Sequence, residues 1–236
     1  MIKFVVFHIS IVLFLEETMN IFEILGPVMV GPSSSHTAGA ARIGYVCSKL
    51  IGEKIVKADI GLYGSFLLTG KGHGTPQAIV AGLLGMTPDD ERIPEAFEIA
   101  EKQGMNFTIG EANLKEGHPN SVQLSLQGES GKRLEVVGES LGGSIINIAK
   151  IDGLPANFSG DYPTLIVTNM DITGMVAKVS KVLCEAKVNI AQMHLYRESR
   201  GKNAVLIAEC DQEIDKDTLD EIRNLEGILK VSYLGR

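Results

Sequence analysis

From Thr164 onward the apolar positions of this chain fall into short, regular runs. TLIVTNM, Thr164 to Met170, is β-branched and apolar and predicts a strand. Asp171 to Gly174 read as a turn that can cap a helix beginning after it. Val176, Val179, Val182, Leu183 and Ala186 then recur at helical spacing and give one apolar face. Asn189 to Arg197 alternates, with Ala191, Met193 and Leu195 on one side and Gln192, His194 and Tyr196 on the other. Ser199 to Asn203, containing Gly201, reads as a hairpin turn before a strand from Asn203 to Cys210. Leu219, Ile222 and Leu225 predict a second helix opening at Asp215 or Asp217. Gly227 ends it, and Ile228 to Leu234 is a last strand. The order βαββαβ within roughly 70 residues is that of a ferredoxin-like unit, with helices on one face of an antiparallel sheet. His194 faces away from the helices in this reading.

Upstream the pattern is less regular. Phe22 to Pro27 reads as a short helix or turn. Ala40, Ile43, Val46 and Cys47 stand at helical spacing within Thr37 to Leu50. Val56 to Tyr63 is a strand candidate, and Thr75 to Leu84 and Glu95 to Gln103 are helix candidates. Asn106 to Gly110, Ser121 to Leu126 and Arg133 to Gly138 read as further strands. The expectation is an α+β domain with a mixed or antiparallel sheet over residues 19–155. The breaker-rich stretch LPANFSGDYP, Leu154 to Pro163, reads as a linker. Its centre, 156–162, separates that domain from the C-terminal one at 163–236. Residues 2–15, IKFVVFHISIVLFL, are too few to cross a bilayer comfortably. Glu16 and Glu17 come next, with no small-residue cleavage site. Met19 then opens MNIFEILGP, so residues 1–18 are expected to be an extension outside the fold rather than an anchor.

Composition narrows the function classes. The chain has 236 residues, 44% apolar, with a formal net charge of −7. That length suits one large or two small domains. An acidic surface repels phosphate backbones, which argues against a nucleic-acid partner. Cys47, Cys184 and Cys210 are odd in number and far apart, with no CxxC pair. They fit free thiols of a reducing cytoplasm better than a disulfide framework or a metal site within this chain.

Four stretches carry candidate chemistry. PSSSHT, Pro32 to Thr37, stands before a predicted helix that one hydroxyl would suffice to cap. A helix start with several hydroxyls also suits a carboxylate or phosphate, and His36 titrates near neutrality. TGKGHGT, Thr69 to Thr75, alternates glycines with Lys71 and His73 and enters another helix. Glycines there let a ligand approach the backbone, but the Walker A spacing is missing. In GHPN, Gly117 to Asn120, His118 precedes a proline and is held extended. SLGGSIINI, Ser140 to Ile148, has a double glycine suited to a tight turn or close backbone approach.

Taken in order, PSSSHT, LYGSFLLTGKGHGT, HPN and the SLGGS segment resemble the β chain of iron–sulfur-dependent L-serine dehydratases. The C-terminal unit resembles an ACT domain by its element order, its size and the DITG turn. The resemblance implies a lyase that converts L-serine to pyruvate and ammonia. It also implies a [4Fe-4S] cluster on a separate α subunit, so that this chain acts only with that partner. Carried over residue by residue, His36, His73 and Thr75 become catalytic candidates, and Ser34, Ser35 and Thr37 substrate-binding candidates. The N-terminal domain further resembles the allosteric substrate-binding domain of some phosphoglycerate dehydrogenases, which makes His118 and Asn120 effector-binding candidates. In the ACT unit, Asn169, Asp171 and Gly174 stand nearest the expected pocket, and self-association through that unit is expected. Membrane attachment is not expected. Nor is pyridoxal phosphate, because no lysine sits in a recognisable setting for it. The competing reading is a serine-sensing regulatory subunit whose histidine loops never reach the chemistry.

Overall fold

A computed structural model describes residues 28–235. The apolar segment 2–15, the Phe22 to Pro27 turn and the proposed extension 1–18 lie outside the described residues. The chain forms two sheets. The first has six strands in the order β2-β1-β3-β4-β5-β6. These are β1 (Ile55–Gly64), β2 (Asn106–Glu111), β3 (Asn120–Gly128), β4 (Arg133–Gly142), β5 (Ile145–Ile151) and β6 (Leu154–Phe158). β1 pairs with β2 in parallel and with β3 antiparallel, so the sheet is mixed, as expected. Strands alternate inward and outward residues. Ile60, Leu62, Val122, Leu124, Leu134 and Val136 point into the core. Lys57, Asp59, Gln127 and Glu135 lie on the outer, polar face.

Helices cover the inner face: α1 (Ala40–Ile51), the short α2 (Ser65–Thr69), α3 (Thr75–Leu83) and α4 (Ala96–Lys102). Two glycines bring α1 and α3 into backbone contact. A Cβ on Gly82 would lie 2.0 Å from the Ala41 carbonyl oxygen, and one on Gly44 would lie 2.4 Å from that of Ile79. No real side chain tolerates such distances. The crossing therefore requires glycine at both positions, and it sets the loops that precede the two helices side by side.

Two strands went unread in the sequence. The double glycine at 142–143 is the turn of a β4–β5 hairpin, with Gly142 at φ 104° and Gly143 at φ 58°. The stretch expected to be a linker opens with β6, which pairs antiparallel with β5. Its Pro155 sits on an edge strand, where a missing N–H costs no ladder bond.

The second sheet has the antiparallel order β10-β7-β9-β8. It comprises β7 (Thr164–Met170), β8 (Ile190–Arg197), β9 (Asn203–Cys210) and β10 (Ile228–Leu234), with α5 (Met175–Glu185) and α6 (Lys216–Arg223) between them. This is the expected βαββαβ unit. Asp215 caps α6 by accepting from the Thr218 N–H at 2.8 Å. Leu165, Val167, Leu183, Leu206 and Ile222 form a core between this sheet and its helices. The opposite face is covered too. Ile166, Val205, Ile207 and Leu234 join Val46, Ala156 and Phe158 in the core of the first domain. The Tyr196 hydroxyl accepts from Asn157 at 3.2 Å, and Lys230 pairs with Asp152 at 2.6 Å.

Glu209 is buried on that second face, and its Oε1 has no hydrogen-bond partner among the described residues. Burial raises its pKa above the ordinary 4.5; a Ser159 hydrogen bond and the nearby His194 offset part of this, and Asp161 adds to it. A raised folded-state pKa means the native state binds the proton more tightly than the unfolded chain. Stability from this group is therefore full below about pH 4.5 and is lost as pH rises through the raised value. Glu209→Gln is expected to remove that loss. Melting curves from about pH 4 to about pH 8 should show the variant's advantage growing with pH; a constant difference would contradict this.

Candidate functional site

The segment before α1 turns before it becomes an ordinary helix. The Ala38 N–H donates to the Ser33 carbonyl at 3.2 Å, five residues back, and Thr37 N–H donates to the same oxygen at 2.9 Å. This widened turn spans Ser34–Gly39; such turns are frequent at functional sites. Ser33 caps it, its hydroxyl accepting from the His36 N–H at 3.0 Å. One serine therefore meets the capping need, and the His36 imidazole is presented from the first turn.

That imidazole meets the turn between β1 and α3. Its Nε2 is 3.1 Å from the Ser65 hydroxyl and 3.1 Å from the Thr69 hydroxyl, one turn apart on α2. The Phe66 ring packs edge-on against it at 5.3 Å. After α2 the chain tightens through Gly70–His73 and reverses at Gly74, which has φ 68° and leads into α3. This places the His73 ring 5.0 Å from that of His36. His73 Nδ1 lies 3.0 Å from the Thr69 carbonyl. A carbonyl only accepts, so Nδ1 carries the hydrogen and Nε2 is left as the basic nitrogen of neutral His73. Burial and then the neighbouring His73 charge lower the His36 pKa, partly offset by a Ser65 backbone hydrogen bond. His36 is thus neutral at neutral pH and able to accept a proton.

Two more expected segments converge on these loops. The Pro119 carbonyl accepts from the Ser65 N–H at 2.6 Å, closing HPN onto the start of α2. Gly64, at φ 57°, leaves no room for a Cβ, which would lie 2.5 Å from that same oxygen. Ser140 donates to the Ser35 carbonyl at 3.0 Å, and Asn120 Nδ2 donates to the Ser140 carbonyl at 3.4 Å. Ser144 Oγ donates to the Ser34 carbonyl at 3.5 Å. His118 Nδ1 accepts from the Asn120 N–H at 3.2 Å. His118 and Asn120, the effector-binding candidates, therefore adjoin the histidine loops. Asn120 Oδ1 is buried with no hydrogen-bond partner among the described residues.

Two expectations change. Thr75 is fully buried beneath the turn, against Gly70, and its hydroxyl has no partner among the described residues. Thr37, expected to hold substrate, is buried and donates to the His73 carbonyl at 3.0 Å, bracing one loop against the other. Ser65 and Thr69 were missed. Their signal was a serine and a threonine four residues apart between two glycines, which places both hydroxyls on one helical face.

The C-terminal candidates form a second group. Asn169 is buried, donates to the Met170 carbonyl at 2.6 Å and leaves Oδ1 without a partner among the described residues. Asp171 accepts from the Gly201 N–H at 3.0 Å and Arg197 at 3.4 Å, tying the turn to the β8–β9 hairpin. Gly174, at φ 91°, starts α5.

The cysteines do not form a thiolate set. Cys47 and Cys210 are buried in different cores, and Cys184 is exposed. Burial pushes the Cys47 thiol up and, with Asp211 and Glu209 beside it, Cys210 to about 11. Iron–sulfur clusters need thiolates, so these residues do not fit a cluster of this chain's own. No group of three potential metal ligands occurs among the described residues. Among them, too, no helix is long and apolar enough to cross a membrane.

The chain was compared with known proteins. A probable L-serine dehydratase beta chain of Bacillus subtilis is 41% identical over 215 residues, covering 91% of this chain and 97% of that protein. The L-serine dehydratase beta chain of Peptoniphilus asaccharolyticus is 35% identical over 214 residues, covering 90% of this chain and 96% of that one. A solved ACT domain from the GTP pyrophosphokinase of Chlorobium tepidum aligns with 31% of this chain and 85% of its own, at 19% identity and a TM-score of 0.26. The C-terminal unit has the βαββαβ order expected of an ACT domain. The family model described as "Serine dehydratase beta chain" matches residues 18–150, more than half of the sequence and all of the converging loops. On that match the chain belongs to the serine dehydratase beta chain family.

Proposed function

We propose that this chain is the β subunit of an L-serine ammonia-lyase and supplies one wall of an active site completed by an α subunit. The observation that carries this reading is the meeting of His36 and His73, 5.0 Å apart, at the junction of four loops. The reaction removes the Cα proton and the β-hydroxyl of L-serine as water, giving aminoacrylate. Its imine form hydrolyses to pyruvate and ammonia. Proton removal and hydroxide departure call for a positioned base and an acid. His36 and His73 are side chains of this site able to hold those protons. The Ser34 and Ser35 hydroxyls at the widened helix start are suited to the substrate carboxylate. In this reading the [4Fe-4S] cluster is held by the α subunit and supplies a Lewis acid for the leaving hydroxyl. Self-association belongs to the same reading: β8 is an outer strand with Leu195 half exposed, an edge on which a second copy can pair.

The test is anaerobic incubation of L-serine with this chain, with the α chain, and with both. The proposal expects equal amounts of pyruvate and ammonia from the pair and none from either chain alone. An α chain that reaches the full rate unaided would overturn it.

A further inference from the structure

We infer that Thr69 holds the two histidines in opposite tautomers, leaving Nδ1 of His36 and Nε2 of His73 as the basic atoms. The Thr69 hydroxyl sits on α2 and donates to the Ser65 carbonyl at 2.9 Å, the usual bond of a helical threonine to the turn before it. Its one hydrogen is committed there. Toward His36 Nε2, 3.1 Å away, the Thr69 oxygen can then only accept. A bare Nε2 would set lone pair against lone pair at that distance, so Nε2 carries the hydrogen. The Ser65 oxygen shares this N–H at 3.1 Å and turns its own hydrogen to Thr69 Oγ1 at 3.3 Å. Every hydrogen then has an acceptor, and the Thr69 oxygen uses both lone pairs.

The same residue fixes the other ring by its backbone, because His73 Nδ1–H donates to the Thr69 carbonyl. One threonine therefore holds the hydrogen-bearing edge of each imidazole, one through its hydroxyl and one through its carbonyl. Thr69 is exposed, so replacing its hydroxyl opens no buried cavity. It is a positioning residue. Its bearing on the rate rests on the shared-site reading; the tautomers do not.

The experiment uses the full chain labelled with nitrogen-15 in histidine, at a pH where both rings are neutral. The expected spectrum shows His36 with hydrogen on Nε2 and His73 with hydrogen on Nδ1, the less common form in free imidazole. Thr69→Val should leave the His73 pattern intact and give His36 Nε2 lone-pair character, as the Ser65 hydroxyl turns to donate to it. Thr69→Ser should restore the wild-type pattern. Both rings in the same tautomer, or His36 bare at Nε2, would overturn the inference. In the assembled enzyme, Thr69→Val should lower kcat by about 10²-fold with little change in KM, and Thr69→Ser should recover most of it. A full rate in Thr69→Val would overturn the positioning role. Wild-type pairs that make no pyruvate would instead sink the functional reading, with the tautomers judged by the spectra alone.

Discussion

His73→Ala in the assembled enzyme is expected to lower kcat by roughly 10²- to 10⁴-fold, the range for loss of a positioned acid or base. His36→Ala should do the same. Each ring sits in the loop cluster and is partly exposed. Circular dichroism and melting temperature should therefore stay near wild type while the rate collapses. The double variant should lose little more than either single one, because groups that act as a unit are not additive. Steady-state kinetics at saturating L-serine read the effect directly. Variants that keep the full rate and alter only the cooperativity of serine saturation would favour a purely regulatory subunit.

The second large effect lies at the helix crossing. Gly82→Val should destabilise the chain by about 3 kcal/mol or more, the upper range for overpacking a filled site. The new Cβ would meet the Ala41 carbonyl oxygen at 2.0 Å and the Tyr45 nitrogen at 2.6 Å. These are backbone atoms of α1 and cannot swing aside as a side chain would. For a chain of this size a loss of that order lowers the melting temperature by roughly 10 °C. Activity should fall further than stability, because the crossing sets α1 and α3 against each other and with them the His36 and His73 loops. Urea unfolding and the rate below the melting transition separate the two effects. A variant with unchanged urea midpoint would show that the helices separate at little cost.

The C-terminal unit was legible because its patterns are local. Alternation in Ile190–Arg197, helical spacing in Met175–Glu185 and the hairpin at Gly201 each lie within about ten residues. β5 and β6 were less so. Ile146 and Ile148 alternate, but the double glycine before them reads equally as a loop, and Pro155 argues against a strand. Their pairing partners, Val136 to Gly142 for β5 and β5 itself for β6, decide the matter. The histidines were legible as residues, not as a pair. Nothing in the spacing of His36 and His73 shows that Gly44 and Gly82 bring their helices together. Thr75 stood out beside His73, yet its position at the start of α3 turns it under the loop. Ser65 and Thr69 were hidden because SFLLT reads as an apolar run, and their importance appears only once His36 arrives from 29 and 33 residues away.

The most direct measurement of the central claim is amide hydrogen exchange of this chain alone, with the α subunit, and with the α subunit and L-serine. The account predicts slower exchange at residues 33–38 and 65–74 on adding the α subunit, and a further slowing at those residues with L-serine. The polar outer face of the first sheet, around Lys57, Asp59 and Glu135, should not change. Protection confined to the C-terminal sheet, with the histidine loops exchanging as in the free chain, would contradict it.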